Sequence, residues 1–267
     1  MNKVKIAWYG LHLGEEPPLI PAGGIFFTGC DLRCVFCQNH QISQGQIGKV
    51  YTTEELIGIM LQLEKMGASN IDLVSPNGWF RVIKSAIIRA REAGLKIPIV
   101  WNSNGFEKLE VLREMKGLID IYLPDFKYSD DSLAKKYSGI ENYTATAINN
   151  IQEMLAQVGH LKIVKDHAVH GVIVRHLVLP NQVKNSLGVL EKLAEIDKNL
   201  HLSLMNQYLP IHQADNFSEL NRQVTDEEFA TAYDYLLELG FANGWVQGEK
   251  SQNHFVPDFR KEEPFRE

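Results

Sequence analysis

Along the chain, short runs of consecutive apolar residues alternate with longer stretches in which apolar residues recur every three or four positions. The short runs read as buried strands and the longer stretches as amphipathic helices. Ile25-Phe26-Phe27-Thr28, entered through Gly23-Gly24, is the first strand. A helix then starts at Thr52-Thr53, with a threonine cap and acids in its first turn. It carries Leu56, Ile59, Met60, Leu63 and Met66 on one face and ends at Gly67. The same alternation predicts strands at 71–74, 97–101, 119–123, 171–179 and 200–205. Helices are expected over 80–93, 106–115, 130–137, 142–158, 184–196 and 225–239. A small hairpin at 162–169 and a last short strand at 244–246 complete the pattern. Residues 1–22 read as irregular because Pro17, Pro18 and Pro21 bar regular helix. The stretch after Glu249 is charged and Pro-broken, and is expected to form no element.

Strands alternating with helices imply a parallel sheet with right-handed crossovers. Six such units fall short of the eight that close a full barrel. The expected division is an N-terminal extension over 1–22, one core over 23–248 and a tail over 249–267.

Composition refines this picture without changing it. The 267 residues, 45% of them hydrophobic, suit one large α/β domain, and no Pro/Ser/Gly-rich tract divides them. No apolar run approaches the ~18 residues that span a bilayer, and the first six residues lack the apolar stretch of a secretory leader. A soluble, cytoplasmic protein with reduced thiols and no membrane contact is expected. A net charge of −6 argues against sequence-independent nucleic-acid binding, which rests on basic patches.

The chemistry concentrates in the stretch from Gly29 to Asn39, which holds all three cysteines, Cys30, Cys34 and Cys37, spaced C-x3-C-x2-C. Thiolates hold iron–sulfur clusters, and a [4Fe–4S] cube usually takes four of them. Three protein ligands leave one iron open, as catalytic metal sites generally do. One alternative is a zinc site completed by His40, but structural zinc usually groups its ligands as two separated pairs. Disulfides are disfavoured by the odd count and close spacing.

The cysteine motif, with Phe36 before its last cysteine, resembles the radical S-adenosylmethionine (SAM) superfamily. The following Gln38-Asn39, with the segments Val100 to Gly105, Tyr122 to Lys127, Val174 to Pro180 and Leu204 to Pro210, resembles the activating enzymes of glycyl radical enzymes, in particular a branch of pyruvate formate-lyase activating enzyme homologues. The likeness runs from about Gly23 to about Gly248. It implies a partial (β/α)6 TIM-like barrel of the radical SAM type, open at one side. It also implies a [4Fe–4S] cluster on the three cysteines, SAM on its fourth iron, and a flavodoxin or ferredoxin as electron donor. SAM would be cleaved reductively to methionine and a 5′-deoxyadenosyl radical that abstracts a hydrogen atom. The leading substrate is a glycine of a partner glycyl radical enzyme, and the alternative is a small molecule or peptide. A non-catalytic zinc or electron-transfer protein is the remaining alternative.

The candidate site residues fall mostly at strand ends, where barrel enzymes build their sites. Asp125 and Lys127 match the Asp-x-Lys that meets SAM in the activases, and form the candidate catalytic pair. Phe36 and Asn39 are carried over as cofactor-binding residues with the cysteine motif. Arg175 interrupts an apolar strand and needs a counter-anion, for which the SAM carboxylate is suited. His176 alternates to the opposite face and reads as an outer packing or surface residue. Ser75 and Asn77 stand where the activases have a Gly-Gly-Glu for the SAM amino group; they either substitute for it or form a plain Asn-Gly turn. Asn102 and Ser103 either bind an amino acid moiety or form a turn before the next helix. Asn206 and Gln207, with Tyr208, point to the barrel mouth and serve either adenosine or substrate. The other histidines, His12 among them, show no ligand spacing and default to surface or loop.

Overall fold

The computed structural model of the protein describes residues 2–246 and 256–265. β1 (Lys3–His12) and β2 (Ala22–Phe27) form an antiparallel pair. A short α1 (His40–Ser43) and β3 (Lys49–Thr52) follow, and β3 lies on the other edge of β1. Strand and helix then alternate through α2 (Thr53–Lys65), β4 (Asn70–Val74), α3 (Phe80–Glu92), β5 (Ile99–Ser103), α4 (Leu109–Met115), β6 (Ile121–Pro124), α5 (Asp131–Ser138) and α6 (Tyr143–Val158). A hairpin of β7 (Lys162–Val164) and β8 (His167–Leu177) leads to α7 (Val183–Ile196), β9 (His201–Met205), α8 (Asp226–Glu238) and β10 (Gly244–Val246). The strand order is β10-β9-β8-β6-β5-β4-β2-β1-β3, parallel from β10 to β2. Among the described residues β3 and β10 are its free edges, so the sheet is a partial barrel, as the alternation of elements predicts.

Local chemistry explains the boundaries. Thr52 Oγ1 accepts from the Glu55 backbone at 3.2 Å while Glu55 Oε2 accepts from the Thr52 backbone at 2.7 Å, a capping box that starts α2. Because side chains alternate along a strand, each parallel strand divides its residues between two cores. Ile71, Leu73, Ile99, Trp101, Val172 and Val174 pack outward against the helices. Val100, Ile121, Leu123 and Ile173 pack inward. Among the described residues no helix is long and apolar enough to cross a membrane.

The N-terminal segment departs from expectation. Residues 3–12 are a strand, its Val4 and Ile6 buried and its Lys3 and Lys5 turned outward or partly so. The half-buried alternation was overshadowed by the prolines, which act only after it ends. Pro17–Leu19 makes one 3₁₀ turn that drives Leu19 into the barrel floor, where it is 1% exposed among Val100, Ile121, Leu123 and Ile173. The Asn70 side-chain amide donates to Leu19 O at 2.7 Å and fixes the plug. The short edge strand β3 and the single turn α1 also carried no periodic signal.

The described part of the tail has no regular element, as expected, yet it is well attached. Phe259 is buried, and Phe265 sets its ring edge-on to Trp8 at 5.1 Å and tilted against Phe26 at 5.2 Å. The Phe259 backbone donates to Gln41 Oε1 at 2.7 Å, and Gln41 Nε2 donates to Asp258 Oδ1 at 3.2 Å. Phe255, the third phenylalanine of the tail, lies outside the described residues.

Candidate active site

β2 delivers the chain to the cysteine loop, and Gly29 turns it with φ of +99°. The loop is then lashed down by backbone hydrogen bonds. Gly29 N donates to Ile42 O at 3.0 Å, Arg33 N to Ser138 O at 3.0 Å and Val35 N to Tyr137 O at 2.9 Å. The three thiols are free, and each sulfur has a polar neighbour. Cys30 Sγ accepts from Leu32 N at 3.4 Å and from Asn104 Nδ2 at 3.3 Å. Ser138 Oγ donates to Cys34 Sγ at 3.0 Å, and Cys37 Sγ lies 3.3 Å from Ser43 Oγ. Burial pushes all three thiols up, Cys34 to about 12, while the nearby Lys127 pulls the other way. Among the described residues, no three His, Cys, Asp or Glu side chains converge as ligands of a single ion. His40 turns Nδ1 to Cys37 O at 3.1 Å and stacks on His212. A cluster takes one thiolate at each of several irons, so its ligands need not converge on one point. One buried and two half-buried cysteines, each sulfur with a polar neighbour, fit a cluster better than a tetrahedral zinc.

A buried ion network stands at the ends of the neighbouring strands. Asp125 pairs with Arg175 across an isolated bridge that continues β6 beside β8. Arg175 Nε donates to Asp125 Oδ1 at 3.1 Å and Lys127 Nζ to Asp125 Oδ2 at 2.5 Å. Burial alone would raise the Asp125 carboxyl, but Lys127 and Arg175 outweigh it and hold it below the usual range. Lys127 is likewise raised despite burial, by Asp125. Arg175 also donates from Nη1 to Glu15 Oε2 at 3.0 Å and from Nη2 to Asn102 Oδ1. Asn102 Nδ2 passes the network on to Asp72 Oδ2 at 3.2 Å. The Asp125 backbone is fixed from behind by Gly105, where φ is +77° and a Cβ would fall 2.2 Å from Asp125 O. Only glycine fits there.

The structure brings most predicted residues together and sets some apart. Cys34, Cys37, Phe36, Asn39, Asn102, Asp125, Lys127, Arg175 and Gln207 all line one cavity of about 210 Å³. Cys30, Ser75, Asn77 and Ser103 line a separate cavity of about 230 Å³. There Ser75 adopts φ of +58°, and the Asn77 amide donates to the Asp31 carboxylate. Asn206 is buried and lines neither. His176 does face away from the first cavity, but it is not at the surface. It is 3% exposed, held between Phe126 O at 2.7 Å and Ser186 Oγ at 2.9 Å. His12 is also buried and lines the first cavity, so the surface assignment fails for it. Glu15 lines the same cavity and was not anticipated; Phe265 of the tail lines it as well. The one available signal was the acid pair Glu15-Glu16 directly before Pro17-Pro18, in a segment otherwise read as an extension.

With this geometry in view, the chain matches the Radical SAM superfamily over residues 25–194. It is 32% identical over 246 residues to an uncharacterized protein of Methanocaldococcus jannaschii, covering 87% of this chain and 68% of that one. It is 26% identical over 215 residues to the pyruvate formate-lyase-activating enzyme of Clostridium pasteurianum, covering 76% and 82%. Among solved structures, Streptococcus suis SuiB bound to S-adenosylmethionine superposes with a TM-score of 0.58 at 14% identity. That match covers 83% of this chain, which spans about half of SuiB (48%).

Proposed function

The chain belongs to the radical SAM superfamily, an enzyme family that works with a [4Fe–4S] cluster and SAM, and from that premise we propose that it abstracts a hydrogen atom from a substrate seated in the barrel. The observation that carries this reading is the single cavity shared by Cys34, Cys37 and the Asp125–Lys127–Arg175 network. Cys30, Cys34 and Cys37 would hold the cluster, and Lys127 and Arg175 would take the SAM carboxylate as charge-assisted donors. When bound, the two groups supply a one-electron cleavage of SAM to methionine and a 5′-deoxyadenosyl radical. Asp125 fixes both cations before SAM arrives, so their orientation costs little on binding. Phe26, Phe36 and Phe265 form an apolar wall of the cavity that would help keep water from the radical once SAM fills it. The electron would come from a reduced flavodoxin or ferredoxin.

In this reading residues 23–248 are the catalytic core, and the N-terminal extension and the tail contribute Glu15 and Phe265 to its cavity. Similarity to an activating enzyme supports a glycine of a partner protein as the hydrogen donor. The Phe265 ring, packed on Trp8 and Phe26 at the cavity's edge, supports a smaller group reaching the cavity instead. Anaerobic incubation with SAM, reductant and a co-encoded partner separates the two. A glycyl doublet in electron paramagnetic resonance establishes activation. Deuterium passing from a labelled metabolite or peptide into 5′-deoxyadenosine establishes the second. Absence of 5′-deoxyadenosine in every arm removes the proposal.

A further inference from the structure

One buried hydroxyl ties the wall of one cavity to the wall of the other. Tyr143 opens α6 and is fully buried, its ring 5.4 Å from that of Tyr128 and 6.0 Å from that of Phe106. It lines neither cavity, yet its hydroxyl reaches three backbone groups that belong to their walls. Lys127 N donates to it at 2.9 Å, and it donates toward Asn104 O at 2.9 Å and Asp125 O at 3.0 Å. A phenol carries one proton and two lone pairs, so a single O–H is shared between two carbonyls in a three-centre bond. Burial raises this phenol well above its ordinary range, and the proton stays on oxygen.

The three groups serve different parts of the site. Asn104 lines the cavity that holds Cys30, and Asp125 and Lys127 line the one that holds Cys34 and Cys37. Asn104 Oδ1 accepts from Phe106 N at 2.8 Å, which turns Nδ2 toward Cys30 Sγ at 3.3 Å. The direction of that donor therefore depends on how the Asn104 backbone is held, and Tyr143 holds it. On the other side, the Asp125 C=O and the Lys127 N–H that Tyr143 engages carry the two side chains of the ion pair. Loss of the hydroxyl would deprive one buried N–H and two buried C=O groups of this partner, leaving the backbone on both sides free to shift.

We propose that Tyr143 is a positioning residue whose one hydroxyl sets both the hydrogen bond from Asn104 to Cys30 and the placement of the Asp125–Lys127 pair. It touches no reacting atom and acts through these neighbours. The proposal deepens the radical SAM reading and rests on it.

Tyr143→Phe removes the hydroxyl and keeps the ring, with iron content and cluster absorbance reporting that the reconstituted variant is folded. The cluster's reduction potential should shift downward, in the same direction as in Asn104→Ala, because both weaken a hydrogen bond to a ligand sulfur. SAM should bind about fivefold more weakly in equilibrium dialysis, the size of one hydrogen bond. A double variant separates the two routes. Adding Tyr143→Phe to Asn104→Ala should move the potential no further, yet should still weaken SAM binding about fivefold. A side chain that served packing alone would move neither reading. An unchanged potential or an unchanged SAM affinity in Tyr143→Phe overturns the proposal, as do additive potential shifts in the double variant. Where Tyr143→Phe takes up no iron, 4-aminophenylalanine at position 143 is the probe, since its N–H groups serve the two carbonyls but it accepts poorly from Lys127 N. It should keep the native potential and still weaken SAM binding, and a native SAM affinity overturns the proposal. SAM cleavage by the unsubstituted protein is scored separately. Absence of 5′-deoxyadenosine there removes the parent reading, whereas normal cleavage beside any overturning result removes this inference alone.

Discussion

Arg175 Nη1 donates to Glu15 Oε2 at 3.0 Å, tying β8 to a segment that precedes the first parallel strand. The same guanidinium holds Asp125 at 3.1 Å, so one buried cation organises acids from two distant parts of the chain. A ligand carboxylate that engages Arg175 must therefore compete with Glu15.

Arg175→Ala leaves Glu15 without its arginine and Asp125 held by Lys127 alone. Loss of one charge-assisted contact should weaken SAM binding roughly tenfold to a hundredfold. Breaking a buried pair should also cost about 3–5 kcal/mol of stability. Arg175→Lys should recover part of the stability but not the forked geometry. Dialysis with labelled SAM and urea unfolding read the two effects. Normal SAM affinity in Arg175→Ala would show that the carboxylate is held elsewhere.

The six strand–helix units were legible because each buried strand is a continuous apolar run and each helix keeps its 3.6-residue period, as in Ile71–Val74 followed by Phe80–Glu92. Asp125, Lys127 and Arg175 were legible because charges interrupt apolar strands at their ends. What sequence could not give was the partner of each charge. Glu15 reaches Arg175 only because Pro17–Leu19 folds under the barrel, and no local pattern encodes that path. The burial of His12 and the docking of Phe265 depend on the same long-range packing.

The N-terminal plug should matter as much as a core strand. Leu19 is fully enclosed by side chains from β5, β6 and β8. Leu19→Ala should cost about 2–5 kcal/mol in urea unfolding, as buried leucine truncations do. A loss under ~0.5 kcal/mol, the size of a surface change, would mean that the segment does not fill the floor.

His176 should make stability depend on pH. Burial lowers its pKa to about 4 from the ordinary 6.5, against the raising effect of its hydrogen bond to Phe126 O. The unfolded chain therefore takes up the proton first, and stability falls as pH drops from 6.5 toward 4. Between pH 7 and pH 5 this group should account for on the order of 2 kcal/mol. His176→Gln removes the titration, so the stability gap between the two proteins should narrow over that range. A constant gap would show that the imidazole is free to ionise in the folded chain.

Ser138 and Asn104 should tune the cysteines without replacing them. Each donates to a sulfur, at 3.0 Å to Cys34 and 3.3 Å to Cys30. Ser138→Ala should keep full iron content but shift the cluster's reduction potential downward, because a hydrogen bond to a ligand sulfur favours the reduced, more negative state. Cys34→Ala should hold no intact cluster. Spectroelectrochemical titration separates these results, and an unmoved potential in Ser138→Ala would discount the hydrogen bond.

The proposed function stands on three cysteines and one ion network that together split SAM. The direct measurement is anaerobic reconstitution with iron and sulfide, addition of SAM and dithionite, and quantification of products by mass. The chain should hold about four irons, on the ligation rule for such clusters, and form 5′-deoxyadenosine and methionine in equal amounts. Both products should vanish in each cysteine variant. A full cluster that leaves SAM intact under strong reductant, or stoichiometric zinc in place of iron, would contradict it.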